Sequence, residues 1–348
     1  MTLLGSTQPL DTVYDAALVD LDGVVYIGPQ AVPAAPEAID KARATGMRVA
    51  FVTNNASRTP AAIAERLTAL GIHAVPGDVV TSAEAAARMV AQRFPAGSPV
   101  LVVGDTGLRV AVRRQGMRPV SVAAERPVAV VQGYSPRIGY DLICEGTLAV
   151  AQGALFITSN SDATAPMERG ILPANGSFSR VIANATGQEP LVAGKPMRPL
   201  HEEGVIRTGA AIPLVVGDRL DTDIEGACAR GAASMLVLSG VTTPADLITA
   251  PAHCRPSYLA WDLAGMNLPH PEIHMDATGV HCGGWTAAVH EGRLELAGGG
   301  DRLDGLRALC VAAWSIPTSP GTGGAAAAGT AVRPEAAPFG PALAQLGW

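Results

Sequence analysis

From Asp15 to about Ala260, short apolar runs rich in Val, Leu and Ile alternate with longer Ala-rich amphipathic segments. That rhythm predicts repeated strand–helix–strand units, and so a mostly parallel sheet with helices on both faces. The runs that read as strands are residues 16–22, 48–54, 99–105, 127–133, 154–160, 213–218 and 233–240. Between them lie helical patterns at 35–46, 59–71 and 140–153, each closed by a glycine (Gly46, Gly71, Gly153) that supplies a C-terminal stop. After Trp261 the rhythm changes. Residues 285–315 read as a hairpin with its turn at 290–292 followed by one helix, a small α+β appendage over 263–316. Residues 317–348 read as a low-complexity tail.

Composition narrows the class. With 348 residues and 48% hydrophobic content, the chain can bury one large core and has room for two. The net charge of −6, without any dense Lys/Arg run, argues against nucleic acid or an anionic membrane as partner, while a small anion can still be held locally. Five cysteines lack CxxC spacing, which fits a reducing compartment and gives no zinc signature. His253-Cys254 and His281-Cys282 lack the paired spacing of a metal site and read as ordinary loop or core residues. There is no basic n-region and no apolar window of about 18 residues, so no membrane insertion is expected and the cytoplasm is the expected location.

In open parallel sheets the ligand sits outside the carboxyl ends of the strands. Those ends carry Asp20 and Asp22, Thr53 and Asn54, Asn160 and Asp162, and Asp218 with Asp223. Carboxylates from several strand ends repel one another unless a cation sits among them. In "DLDG" the two acids stand at i and i+2 on an extended strand, hence on one side, and Gly23 lets the backbone turn behind them. Taken alone, this tetrapeptide serves a turn with Asx-type caps equally well. Thr53, Asn54 and Asn55 end a second strand with neutral donors suited to phosphate oxygens, and Lys195 in "VAGKP" is an isolated ammonium. A P-loop reading of "VAGKP" fails, because the required glycine is Glu189 and Pro196 replaces the Ser/Thr.

The ordered set DxD, T, K and GDxxxD over about 250 residues resembles the haloacid dehalogenase (HAD) superfamily of phosphohydrolases. The resemblance implies a Rossmann-like core and a covalent mechanism. Asp20 would attack phosphorus to form an aspartyl-phosphate, and Asp22 would protonate the leaving oxygen and then activate water. Mg²⁺ would be held by Asp20, the backbone carbonyl of Asp22, Asp218 and Asp223. Thr53 and the backbone of Asn54 and Asn55 would grip the phosphoryl oxygens, and Lys195 would neutralise developing charge. A dehalogenase needs no acid two residues on, and a P-type ATPase shows Lys and Thr after its Asp, so Leu21-Asp22 favours phosphate ester chemistry. A catalytically silent HAD scaffold serving as a binding or regulatory protein is the reading of another class.

About 140 residues separate the Thr53 motif from Lys195, as in the C2-capped branch that includes NagD and 4-nitrophenylphosphatase-like enzymes. The resemblance divides the chain into core (1–83 and 186–262), cap (84–185), appendage (263–316) and tail (317–348). The segment 154–178 resembles the branch's cap loop, with Asn160, Asp162, Pro166 and Gly176-Ser177 in pattern, which places substrate choice in 160–169 and gives Asp162 a binding role. Ala165 stands where the pyridoxal branch has His, and residues 160–169 include no aromatic residue for stacking, so a small polyol or acid phosphate is expected. The Ala/Gly/Val/Arg-rich text and the appendage resemble the glycerol-3-phosphate phosphatases of mycobacteria, which implies glycerol 3-phosphate as substrate and phospholipid head-group recycling as the role. 2-Phosphoglycolate, or a broad range of nucleotide and sugar phosphates, is the alternative. The appendage resembles part of an acetyltransferase-like fold, too short to bind an acyl cofactor unaided. It is expected to dock or dimerise, and a homo-oligomer through cap or appendage follows.

Overall fold

The computed structural model describes residues 3–167, 169–316 and 339–348. At its centre six parallel strands run in the order Tyr258–Ala260, Ala233–Val237, Pro213–Gly217, Ala16–Val19, Arg48–Thr53, Val79–Thr81. Ala16–Val19 is buried at every position, as a strand covered on both faces must be. It pairs with Pro213–Gly217 on one side and Arg48–Thr53 on the other, so the strand order reverses across it and a crevice opens at its carboxyl end. The strand stops at Val19, earlier than the reading to 22, because two aspartates and Gly23 (φ +83°) favour a turn over continued pairing.

A second parallel sheet holds Leu191–Val192, Leu155–Thr158, Ala129–Gln132, Pro99–Val103 and Arg118–Val120, in that order. Its edge strand Leu191–Val192 lies beyond residue 185. Where a loop was expected at 154–178, Thr164–Met167 and Gly170–Pro173 pair as an antiparallel hairpin. Strands of two to four residues are too short to show alternation in sequence. Helix Ser82–Ala91, opened by a Thr81/Glu84 capping box, joins the two sheets. Its Ala83, Ala86 and Val90 share one apolar cluster with Leu18, Val52 and Val80 of the first sheet and Val100, Val131 and Ile157 of the second.

The C-terminal unit is larger than a hairpin and helix. Ile273–Asp276, Gly279–Cys282, Trp285–His290 and Arg293–Gly298 form a four-stranded antiparallel sheet against helix Arg302–Trp314. The expected turn is present: Glu291 and Gly292 both have positive φ, the signature of a two-residue hairpin loop. Residues 317–338 of the expected tail lie outside the described residues, and residues 339–348 correct the reading of a tail. Helix Gly340–Gln345 buries Leu343 and Leu346 against the unit, and Arg302 donates to the Gly347 carbonyl at 3.1 Å. Low-complexity text up to residue 338 obscured this short apolar triplet, Ala342, Leu343 and Leu346. Among the described residues, no helix is long and apolar enough to cross a membrane.

Candidate active site

Three strand ends converge at the crevice. Asp20 follows Ala16–Val19, and Asp218 follows Pro213–Gly217. Asp223 sits in the tight helical turn Leu220–Ile224. Carboxylate oxygens of Asp20, Asp218 and Asp223 all lie within 4.8 Å of one another. Lys195 reaches this group from the other side: its buried Nζ donates to Asp20 Oδ1, to Asp223 Oδ1 at 2.7 Å and to the Val52 carbonyl at 3.2 Å. Burial opposes the ammonium, but the charges of Asp20 and Asp223 outweigh it and hold Lys195 protonated above its ordinary range.

The group is short of positive charge. Burial, with Asp223 and Asp218 adding to it and Lys195 opposing, pushes Asp20 well above the usual carboxylate range. Asp218 is pushed up to about 6, by burial first and then by Asp223. One Asp218 oxygen accepts from the Val241 N–H at 2.7 Å, while Oδ1 is buried without a partner. A buried, unpaired carboxylate oxygen within reach of two other carboxylates is a vacancy in hydrogen bonding that a hard cation satisfies. The donor set is all oxygen, as Mg²⁺ requires, and the residues fit the ion. The backbone is shaped to admit these carboxylates: a Cβ on Gly240 would lie 1.9 Å from Asp218 Oδ2, and one on Gly217 2.2 Å from the Asp223 side chain.

Asp22 stands outside this group, exposed at the mouth. Desolvation by the surrounding protein nevertheless raises its pKa, against the opposing charges of Arg66, Lys195 and Arg58 and a hydrogen bond with Tyr26. Arg66 lies over the Tyr26 ring, 4.0 Å from its centroid, and donates to the Gly28 carbonyl at 2.5 Å. Cationic side chains therefore flank Asp22.

The third strand end, that of Arg48–Thr53, is a frame. Thr53 is buried and its Oγ1 accepts from Asn55 N–H at 3.1 Å. Asn55 Oδ1 caps the following turn by accepting from Ser57 N–H at 2.9 Å. The Asn54 amide is committed: Oδ1 accepts from Lys195 N–H at 2.8 Å, and Nδ2 donates to the Lys195 carbonyl at 3.2 Å and to Asp162 Oδ2 at 3.1 Å. A side chain would not fit at Gly194, where a Cβ would stand 2.4 Å from Asn54 Oδ1. The cap enters through Asn160, which donates to the Asn54 carbonyl at 2.8 Å, and Asp162, whose other oxygen lies 3.8 Å from an Arg219 nitrogen.

Residues 17–118 match the family described as haloacid dehalogenase-like hydrolase, residues 192–266 the HAD-hydrolase-like family, and residues 282–348 a GCN5-related N-acetyltransferase-like domain. The chain is 41% identical over 310 residues to the D-glycerol 3-phosphate phosphatase of Mycobacterium tuberculosis, covering 86% of each protein. The chain belongs to the haloacid dehalogenase-like hydrolases. The hydrolase is also 36% identical over 253 residues to 5′-nucleotidase YutF of Bacillus subtilis, covering 71% of this chain and 97% of that protein. In three dimensions it superimposes on a glycerol phosphate phosphatase from M. tuberculosis in complex with magnesium with a TM-score of 0.82 at 40% identity, covering 88% of this chain and 92% of that one. NagD from E. coli K-12 aligns with a TM-score of 0.66 at 28% identity over 76% of this chain and 98% of its own. The hydrolase is thus a phosphoric monoester hydrolase of the HAD type, with a cap inserted into its core.

Of the residues singled out in sequence, the hydrolase brings Asp20, Asp218, Asp223 and Lys195 into one cluster, sets Asp22 at its mouth, and places Thr53 and Asn55 in the adjoining turn. It engages the Asn54 side chain with Lys195 and Asp162, so that amide holds the frame and is not directed at a phosphate. Sequence reasoning missed Tyr26, Arg66 and the loop around Gly240, whose only signal was glycine and aromatic residues without regular spacing.

Proposed function

We propose that this hydrolase removes phosphate from glycerol 3-phosphate with Mg²⁺ as cofactor, through an aspartyl-phosphate on Asp20. The observation that carries the chemistry is the convergence of Lys195 and two further carboxylates on Asp20 at the carboxyl end of the central strand. Asp20 attacks phosphorus, and Asp22, whose raised pKa favours the acid form, gives its proton to the leaving glycerol oxygen. Asp22 then takes a proton from water, which attacks the acyl-phosphate and regenerates Asp20. Lys195 stays charged throughout and offsets the negative charge spread over the phosphoryl oxygens. Asp20, Asp218, Asp223 and the Asp22 carbonyl would hold Mg²⁺, which screens the anionic nucleophile from the anionic phosphate when bound. Thr53, Asn55 and the Asn54 backbone line the phosphate side, and Arg58 and Arg66 add positive charge at the rim.

For the substrate, the support is coverage. The match to the mycobacterial D-glycerol 3-phosphate phosphatase spans 310 residues, whereas matches to a nucleotidase and an acid sugar phosphatase span 253 and 239. The C-terminal unit is therefore shared with the glycerol phosphate enzyme, and head-group recycling is the role that substrate suggests. The reading keeps the enzyme in the cytoplasm, in line with five cysteines that form no disulfide, and keeps the exposed Tyr140 and Ile171 of the cap as a surface for self-association.

The test is a phosphate-release screen with Mg²⁺ over glycerol 3-phosphate, 2-phosphoglycolate, nucleotides and sugar phosphates, ranked by kcat/KM. Glycerol 3-phosphate should rank first. A higher value for another ester overturns the substrate, and no release from any of them overturns the enzyme reading in favour of a silent scaffold.

A further inference from the structure

His253-Cys254 has no metal-site spacing in sequence, and only the fold reveals its partner. The short helical turn Ala252–Cys254 packs against helix Glu225–Arg230. There a Glu225 oxygen, a His253 ring nitrogen and Cys254 Sγ all lie within 4.8 Å of one another. Cys254 is buried and points its thiol at Glu225 Oε2, 3.9 Å away, while His253 is on the solvent side and Glu225 is half-buried between them. Cys228 stands three residues after Glu225, on the same face of the helix, and its Sγ lies 3.5 Å from the Arg255 carbonyl.

We propose that Glu225, His253 and Cys254 form a second metal site that takes a borderline-soft divalent cation of the Zn²⁺ class. Sulfur, imidazole nitrogen and carboxylate oxygen together are the ligand types such an ion prefers and Mg²⁺ does not. The site is chemically distinct from the all-oxygen cluster around Asp20. Binding exchanges one bond for another without redox change. The Cys254 thiol proton, now shared with Glu225, leaves to solvent, and the sulfur and carboxylate lone pairs bond the cation. One thiolate and one carboxylate balance its two charges. The exposed imidazole provides the way in.

The position gives the site a structural consequence. Glu225 opens the helix that directly follows the turn bearing Asp223. On the other side of the site, Arg255 follows Cys254 and lies over the Trp314 ring, 5.2 Å from its centroid, at the end of the C-terminal unit's helix. A bound ion therefore ties the catalytic turn to the edge of the core where the C-terminal unit docks.

The experiment uses the full chain, stripped of metal under reducing conditions, kept in excess Mg²⁺ and titrated with Co²⁺ as the spectroscopic probe for Zn²⁺. Tetrahedral visible bands and a thiolate-to-cobalt charge-transfer band are expected at one Co²⁺ per chain and should be displaced by Zn²⁺. The all-oxygen cluster cannot produce that charge-transfer band. Cys254→Ser should abolish it, and Cys144→Ser, in the cap, should retain it. Because Cys254 is buried, His253→Ala on the exposed side is the second variant. It should weaken Co²⁺ binding by about 10- to 100-fold, at least the scale for losing a supporting group around a metal. Zn²⁺ should also raise the melting temperature of the wild type and not of His253→Ala. Absence of the charge-transfer band, or its survival in Cys254→Ser with circular dichroism showing an intact fold, overturns the proposal.

Discussion

Asp20 and Asp162 are both carboxylates that follow a parallel strand, one in the core sheet and one in the cap sheet. Their surroundings differ. Asp20 meets a buried ammonium and two further carboxylates, a costly assembly that only chemistry or a cation justifies. Asp162 meets a neutral amide and a distant guanidinium, and so holds cap to core. Strand-end position locates polar residues in such sheets, but the partner across the crevice decides what each one does.

The sharpest way to break this comparison is Asp20→Asn. It should lower turnover by roughly 10⁴-fold or more, the scale of removing a covalent nucleophile, without unfolding the chain, since Lys195 keeps Asp223 as partner. Residual activity near wild type would remove Asp20 from the nucleophile role. Lys195→Met should cost about 10²- to 10³-fold in kcat, as loss of a transition-state charge partner does. A change confined to KM would instead make Lys195 a binding residue.

The core end of the comparison also carries a pH signature. His201, buried beneath Lys195 and Asp223, is pushed down to about 4 by burial first and then by the Lys195 charge. Its folded pKa lies below its unfolded value of about 6.5, so the unfolded chain binds the extra proton between those pH values. The associated stability is complete above the unfolded value and is lost as pH falls towards 4, by about 3 kcal/mol. Denaturant midpoints at pH 7 and pH 4.5 should differ less in His201→Gln than in the wild type. Equal differences would assign the acid sensitivity elsewhere.

The smallest effect belongs to the cap. Asp162→Ala removes one half-exposed hydrogen bond across the seam, worth about 1 kcal/mol, and should reduce kcat/KM for glycerol 3-phosphate roughly fivefold while leaving Mg²⁺ affinity unchanged. A loss on the scale of Asp20→Asn would put Asp162 on the reacting phosphate.

Legibility followed the same division. Asp20, Asp218 and Asp223 were readable because strand ends and a turn stand at short offsets around them, whereas Lys195 stood out as an isolated ammonium whose role came from the HAD resemblance. The Asn54–Asp162 bond joins residues 108 apart and carries no local pattern. Likewise, "HC" at 253–254 has no meaning until helix Glu225–Arg230 lies against it.

The amino-acid sequence by itself determined the alternating architecture and the acids at the strand ends, because both depend on periodicity and short-range geometry, and its four ordered motifs carried the class of chemistry through their resemblance to the HAD superfamily. Tertiary structure alone decided which acids lie within reach of one another, that the Asn54 side chain bonds Lys195 and Asp162, that the last ten residues pack on the C-terminal unit, and that Glu225 meets Cys254. Those outcomes depend on packing between segments distant in the chain, where the spacing of residues along the sequence says nothing about their separation in space.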